Sequence, residues 1–176
     1  MRYVCLAAIR PLRAADLEGL DEALRQTFGL PVSAADSPVD VATAYDPAYQ
    51  QYDGAELLLK LIDQAPADAL KILGVTTVDL FAPAFEFLFG EAQLAGRGAL
   101  MSTYRLRNEL YGLPADPALL TERIIKEAIH ELGHAFGLVH CFNPLCVMNP
   151  STYVEQIDAK SRDLCRQCEA AFRKFT

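Results

Sequence analysis

The 176-residue sequence has no apolar run approaching the roughly 18 to 20 residues that a membrane-spanning helix needs, so no transmembrane helix is expected. It has no basic tract either. Lys and Arg number 16 against 23 Asp and Glu, a formal net charge of -7, and a field of that sign repels phosphate. This argues against nucleic acid or an acidic membrane surface as a partner. The opening MRYVCLAAIR lacks the polar-to-small cleavage pattern of a secretory signal, and YVCLAAI reads as a buried strand. The expected compartment is therefore the cytoplasm, where thiols stay reduced and cysteines serve more readily as metal ligands than as disulfide partners. No repeat and no low-complexity segment appears. Histidine is scarce, with three in the whole chain.

What is present suits one globular domain spanning 1–176. With 52% hydrophobic and 22% charged residues the chain can bury a sizeable core. Its first half alternates strand and helix patterns. YVCLAAI (3–9) and VDVATAY (39–45) read as strands, and 14–28 and 54–65 read as helices with leucines at helical spacing. Residues 72–81, 85–95 and 98–106 follow as three further strands, while DPAYQQYDG (46–54) reads as an exposed loop. A mostly parallel sheet with one antiparallel edge strand fits this order.

All three histidines fall within HELGHAFGLVH, residues 130–140. Asp116 followed by Pro117 marks a helix start, and Leu120, Ile124, Ile125, Ala128, Ile129, Leu132 and Phe136 recur at three- and four-residue steps up to Gly137. At about 100° per residue, His130 and His134 project about 160° from the middle of that apolar stripe, away from the core. At i and i+4 the two imidazoles are close enough to bind one cation. A left-handed Gly137 would end the helix and return His140 as a third ligand. Three neutral imidazoles suit Zn²⁺ and leave a fourth tetrahedral position open, as catalytic sites do. Glu131, flanking the ion without ligating it, is placed to act as general base.

Four cysteines follow in two pairs, Cys141 with Cys146 and Cys165 with Cys168, the latter a CxxC. Four thiolates spaced in this way read as a closed, structural zinc site that ties the segment after His140 to a C-terminal helix around 157–174. Two disulfides or a redox CxxC are the competing readings. Cys5, within the first strand, reads as a core residue.

HELGHAFGLVH resembles the HExxHxxGxxH signature of the metzincin clan of zinc peptidases. Its continuation through Cys141, Cys146, Met148, Cys165 and Cys168 is similar to the archaemetzincins. Between Met148 and the final CxxC the spacer, Asn149 to Leu164, is one residue shorter than the family pattern. The resemblance implies an α/β (α+β) fold with a mostly parallel twisted sheet, one antiparallel edge strand, an active-site helix, a Met-turn and a C-terminal helix. It also implies an upper part, 1–137, and a lower part, 138–176. Met148 would be the Met-turn residue, an apolar floor beneath the imidazoles, and FGEAQLA (89–95) the edge strand offering backbone groups to an extended peptide. Where some relatives have a tyrosine two residues after that methionine, this chain has Pro150, with Tyr153 three further on. The implied activity is zinc-dependent peptide-bond hydrolysis by a monomer with two zinc ions per chain, acting on peptides or small unstructured proteins. A zinc-binding scaffold without turnover and a zinc hydrolase of non-peptide amides are the alternatives.

Overall fold

The computed structural model describes residues 2–175. Five strands form the main sheet in the order β2-β1-β5-β9-β8: β1 (Tyr3–Ala8), β2 (Val32–Asp36), β5 (Ala69–Thr76), β8 (Gly90–Ala92) and β9 (Gly98–Ser102). The pairs β1·β2, β1·β5 and β5·β9 are parallel, and β8 runs antiparallel to β9 at the edge. Both faces of the sheet are covered, so β1 and β9 read as nearly continuous apolar runs.

Alternation sorts β1 between two cores. Val4, Leu6 and Ala8 pack with Leu24 and Phe28 of helix α1 (Leu20–Phe28) and with Ile129 and Leu132 of α3 (Pro117–Ala135), while Cys5, Ala7 and Ile9 pack with Leu57, Leu58 and Leu61 of α2 (Gly54–Asp63). Cys5 lies in that second core at 4% exposure.

Several sequence expectations are corrected. The second parallel strand is β2, not 39–45, where Asp40 caps a 3-10 turn over Val41–Ala44 by accepting from the Ala42 N–H (3.0 Å). The 14–28 helix is a 3-10 turn followed by α1, interrupted at Gly19 with φ +87°. The expected loop 46–54 contains β4 (Gln51–Asp53), which pairs with β3 (Tyr45–Asp46) and with β6 (Leu80–Ala82). With β7 (Phe85–Leu88) these strands build a second, four-stranded sheet in the order β3-β4-β6-β7. Residues 85–95 therefore divide between the edges of two sheets, β7 and then β8. In place of one C-terminal helix there are two short ones, α4 (Val154–Ala159) and α5 (Arg166–Phe172).

Candidate active site

The site is built on α3. Asp116 accepts the Leu119 N–H (2.9 Å) and Pro117 occupies the first turn, so the helix starts where the sequence indicates. Its far end turns at Gly137, φ +94°. The Gly137 N–H donates to the His134 carbonyl (2.8 Å) and the Leu138 N–H to Gly133 (2.9 Å), which reverses the chain and returns His140. That end is pinned from the side as well. Ala95, itself left-handed at φ +54°, donates its N–H to the His134 carbonyl (2.9 Å), and the Lys71 ammonium donates to Ala135 (2.7 Å) and Gly96 (2.5 Å).

The first histidine is not on the surface: His130 is buried, whereas His134 is half-buried and His140 exposed. Residues of the 138–160 segment pack against His130, which is 5% exposed, and its neighbour Glu131 is 6% exposed. A carbonyl only accepts, so the Nδ1 of His130 donates to Val147 (2.8 Å) and that of His134 to Leu138 (2.8 Å), which leaves both Nε2 atoms as lone-pair donors. Those two atoms stand 3.1 Å apart. Two lone pairs repel at that distance unless a cation lies between them, and tetrahedral zinc with Zn–N bonds of about 2.0 to 2.1 Å sets its nitrogens about 3.3 Å apart. The His140 ring completes the group, with its centroid 5.4 Å from His130 and 4.9 Å from His134. The donor set fits one metal ion.

Burial, reinforced by the Lys160 ammonium, holds His130 well below the ordinary imidazole pKa, and burial lowers His134 and His140 too. All three are thereby kept neutral, the form that ligates. Burial first and the neighbouring Glu127 second push Glu131 well above the usual carboxylate range, and a bound dication acts in the opposite sense.

Met148, fully buried, lies against the helix where Gly133 has no side chain: a Cβ there would come 2.6 Å from Met148 Sδ. Glu131 lies beneath the edge strand, where a Cβ on Gly90 would come 2.5 Å from Glu131 Cγ. A cleft of about 640 Å³ opens above, with Phe85 to Ala92 on one side, Pro150 to Tyr153 on the other, and Glu127, Glu131 and the three histidines between.

The second donor set lies immediately below. Cys141 Sγ is 3.7 Å from Cys165 Sγ, and Cys146 Sγ is 3.7 Å from Cys168 Sγ. All four sulfurs lie within 4.8 Å of one another. Disulfide sulfurs would stand about 2.05 Å apart, whereas thiolates held tetrahedrally at about 2.3 Å from zinc stand about 3.8 Å apart. The Cys168 N–H, donating to Cys165 sulfur, lowers the Cys165 pKa to about 7, while burial raises Cys146 and Cys168.

The sequence model of peptidase family M54 matches residues 19–174. The chain belongs to peptidase family M54. An archaemetzincin of Methanocaldococcus jannaschii is 36% identical over 167 residues, covering 94% of this chain and 89% of that protein. The crystal structure of an archaemetzincin from Methanopyrus kandleri superposes with a TM-score of 0.86 at 34% identity, covering 99% of this chain and 94% of that one. A structure from Methanocorpusculum labreanum, described as a zinc-dependent peptidase, gives 0.85 at 33% identity over 96% and 99% of the two chains. This M54 chain is thus a peptidase of the archaemetzincin group.

Sequence reasoning missed Glu127, Lys160 and the two packing glycines. Lys160 is 2% exposed, with Nζ donating to the Asn149 carbonyl (3.1 Å) and standing 3.4 Å from Glu127 Oε1. That spacing makes an ion pair without a formed hydrogen bond. In sequence both residues look like solvated helix charges. Gly133 did leave a signal, since a glycine inside a helix costs about 1 kcal/mol against alanine and so points to a close neighbour.

Proposed function

We propose that the protein hydrolyses peptide bonds with zinc held by His130, His134 and His140 and with Glu131 as general base. A second, structural zinc is held by Cys141, Cys146, Cys165 and Cys168, giving two per chain. The observation that carries this reading is the pair of Nε2 lone pairs facing each other at 3.1 Å, both Nδ1 protons committed elsewhere, beside a buried carboxylate in an open cleft.

Zinc bound there would supply Lewis acidity, lowering the pKa of water towards about 7 and polarising a carbonyl oxygen. The protein's own groups do the rest. The edge strand β8 offers unpaired backbone groups to an extended peptide and lays it across the histidines. Glu131 takes the proton of the attacking water and returns it to the departing amine. Val147 and Leu138 fix the two imidazoles through their Nδ1 protons, Met148 gives them an apolar floor, and Gly137 makes the turn that brings in His140. We divide the chain at 137/138, a reading supported by the cleft's lining, which comes from 82–92 and 127–134 on one part and from His140 and 150–153 on the other.

The substrate is a peptide or a small unstructured protein, met by a monomer in the cytoplasm. No helix of the described residues is long and apolar enough to cross a membrane. The test is a mass-spectrometric profile of a peptide library incubated with the zinc-loaded protein and with its Glu131→Gln variant. Cleavage by the first and none by the second, at equal zinc content, is expected. Equal cleavage by both would refute the assignment of Glu131.

A further inference from the structure

The four cysteines are not equivalent. Cys146 and Cys168 are buried, at 1% and 8% exposure, whereas Cys141 and Cys165 are half-buried and are each followed by an exposed residue, Phe142 and Arg166. The close sulfur pairs sort in the same way. Cys141 Sγ stands 3.7 Å from Cys165 Sγ on the more open side, and Cys146 Sγ stands 3.7 Å from Cys168 Sγ on the buried side. Cys141 also borders a cavity of about 460 Å³ between the 137–143 segment and α5, wide enough to admit a small solute; Cys168 borders it too, from its buried place on α5. The Cys146 sulfur accepts the Cys165 N–H (3.4 Å), and a hydrogen bond to a thiolate draws electron density from it. Oxidation follows thiolate character and access, so Cys141 is the sulfur an oxidant meets first and Cys165 the partner beside it.

Position gives this asymmetry a consequence. Cys141 follows His140 directly, and its backbone is tied to the Met-turn, its N–H donating to the Met148 carbonyl (2.9 Å) and its carbonyl accepting from Asn149 Nδ2 (2.9 Å). Disulfide sulfurs stand about 2.05 Å apart, so a bridge between Cys141 and Cys165 needs the two to approach by about 1.7 Å. That movement pulls on the residue next to His140. It also withdraws two of the four sulfur ligands, and the two that remain, Cys146 and Cys168, cannot close a tetrahedral site.

We propose that Cys141 and Cys165 form a redox switch: a hydroperoxide converts the pair to a disulfide, which releases the zinc of the cysteine site and loosens the histidine site. The Cys141 thiolate attacks one oxygen of the hydroperoxide, the O–O bond breaks, and the other oxygen leaves as hydroxide or alkoxide, giving a sulfenic acid. The Cys165 thiolate then attacks that sulfur, the S–O bond breaks and hydroxide leaves. The two sulfurs lose two electrons, the hydroperoxide gains them, and two protons from solvent neutralise the leaving groups. A thiol reductant reverses the change by exchange through a mixed disulfide. This rests on the proposed reading of the four cysteines as a zinc site.

The test titrates the reduced, zinc-loaded chain with hydrogen peroxide, in a chromophoric chelator at a concentration that leaves both ions on the untreated protein. Zinc release is read from the chelator, and the thiols are mapped by alkylation and mass spectrometry. The first zinc to leave is expected in step with a bridge between Cys141 and Cys165, while Cys146 and Cys168 are still alkylated as free thiols. Retention at the histidines should then fall roughly 10- to 100-fold, the range for losing the groups that orient a metal's ligands, and a thiol reductant with added zinc should restore both ions. Cys5→Ala should behave as the wild type, because Cys5 is 4% exposed in the core. A first bridge that joins any other two cysteines overturns the switch, as does zinc loss without a bridge or a bridge that leaves retention at the histidines unchanged. So does protein that keeps both ions and all four thiols while its methionines are oxidised; in each of these cases the two-zinc reading stands. A single zinc in the reduced protein before any peroxide is added overturns the zinc reading of the cysteines, and the switch with it.

Discussion

Gly133→Ala is the substitution whose sign tells most about how α3 and the segment beneath it depend on each other. On propensity alone it should help, since alanine inside a helix is worth about 1 kcal/mol over glycine. The local packing opposes this. The new methyl would stand 2.6 Å from Met148 Sδ and 3.2 Å from its Cε, whereas carbon atoms in ordinary contact stand about 3.5 to 4.0 Å apart, so the thioether must retreat by about 1 Å. Met148 has nowhere to go, being 0% exposed between Val147 and the helix. Overpacking of a filled core costs about 1 to 3 kcal/mol, and with both backbones fixed the upper end applies, giving a net loss of about 2 kcal/mol. For a domain of this length that lowers Tm by about 4 to 8 °C. Because Val147 accepts the His130 Nδ1 proton, displacement of Met148 also weakens metal retention at the histidines, measurable by competition with a chromophoric chelator. The control is the same change in a Met148→Ala background, where the clash is gone and Gly133→Ala should raise Tm. A rise in the wild-type background, with metal retention unchanged, would refute the reasoning.

Three further outcomes are expected. Metal analysis of freshly reduced protein should give two zinc ions, with a chelator removing one quickly and the other slowly; a single zinc would refute the cysteine site. Gly90→Ala drives a methyl to 2.5 Å from Glu131 Cγ and 2.7 Å from the Leu100 carbonyl, so steady-state kinetics should show kcat falling more than KM rises, and an unchanged kcat would count against the placement of Glu131. Lys71→Met leaves the Ala135 and Gly96 carbonyls without their donor, which should cost about 1 to 3 kcal/mol in denaturant unfolding and loosen the end of α3 that carries His134; a variant as stable as wild type would show that the pin is not needed.

The helix with its histidines was legible in the sequence because its signals are local. A cap, a three-and-four apolar spacing and a terminal glycine all lie within α3 and its flanks. The gathering of the four cysteines was legible for a different reason: two pairs at metal-ligand spacing, one of them a CxxC, already point to one shared site. Strand β2 was missed because it is a mostly exposed edge strand whose centre is Ser33, Ala34 and Ala35, with none of the branched alternation that marks a strand. Residues 39–45 have that alternation, yet the Asp40 side chain claims the Ala42 N–H and winds the chain into a turn. The buried ion pair of Glu127 and Lys160 was invisible because its members lie 33 positions apart and each has an ordinary place on an exposed helix until the fold brings them together.

The same short segment serves both donor sets, so on the two-zinc reading proposed above a zinc at the cysteines would be a condition for one at the histidines. His140 and Cys141 are neighbours that point into different sites, and five residues on Cys146, Val147 and Met148 repeat the pattern with a thiolate, a carbonyl for His130 and the apolar floor. The two runs are joined by the Cys141 N–H to the Met148 carbonyl (2.9 Å) and by Asn149 Nδ2 to the Cys141 carbonyl (2.9 Å). The cysteine site closes the loop from the far side, with the Val147 N–H donating to Asp163 (3.0 Å) just before Cys165. Replacing Cys165 and Cys168 with serine removes two of the four sulfur ligands. Structural zinc contributes about 10 to 16 kcal/mol in isolated zinc-finger peptides, against a net domain stability of about 5 to 15 kcal/mol. The double variant should therefore lose solubility or melt far below the wild type, and any soluble fraction should bind catalytic zinc poorly because His140 and the Val147 carbonyl are no longer held. Reductant should leave the wild type unharmed. A wild type that reductant destabilises while zinc removal leaves it intact would mean that the four cysteines work as disulfides and that the histidine site stands without them.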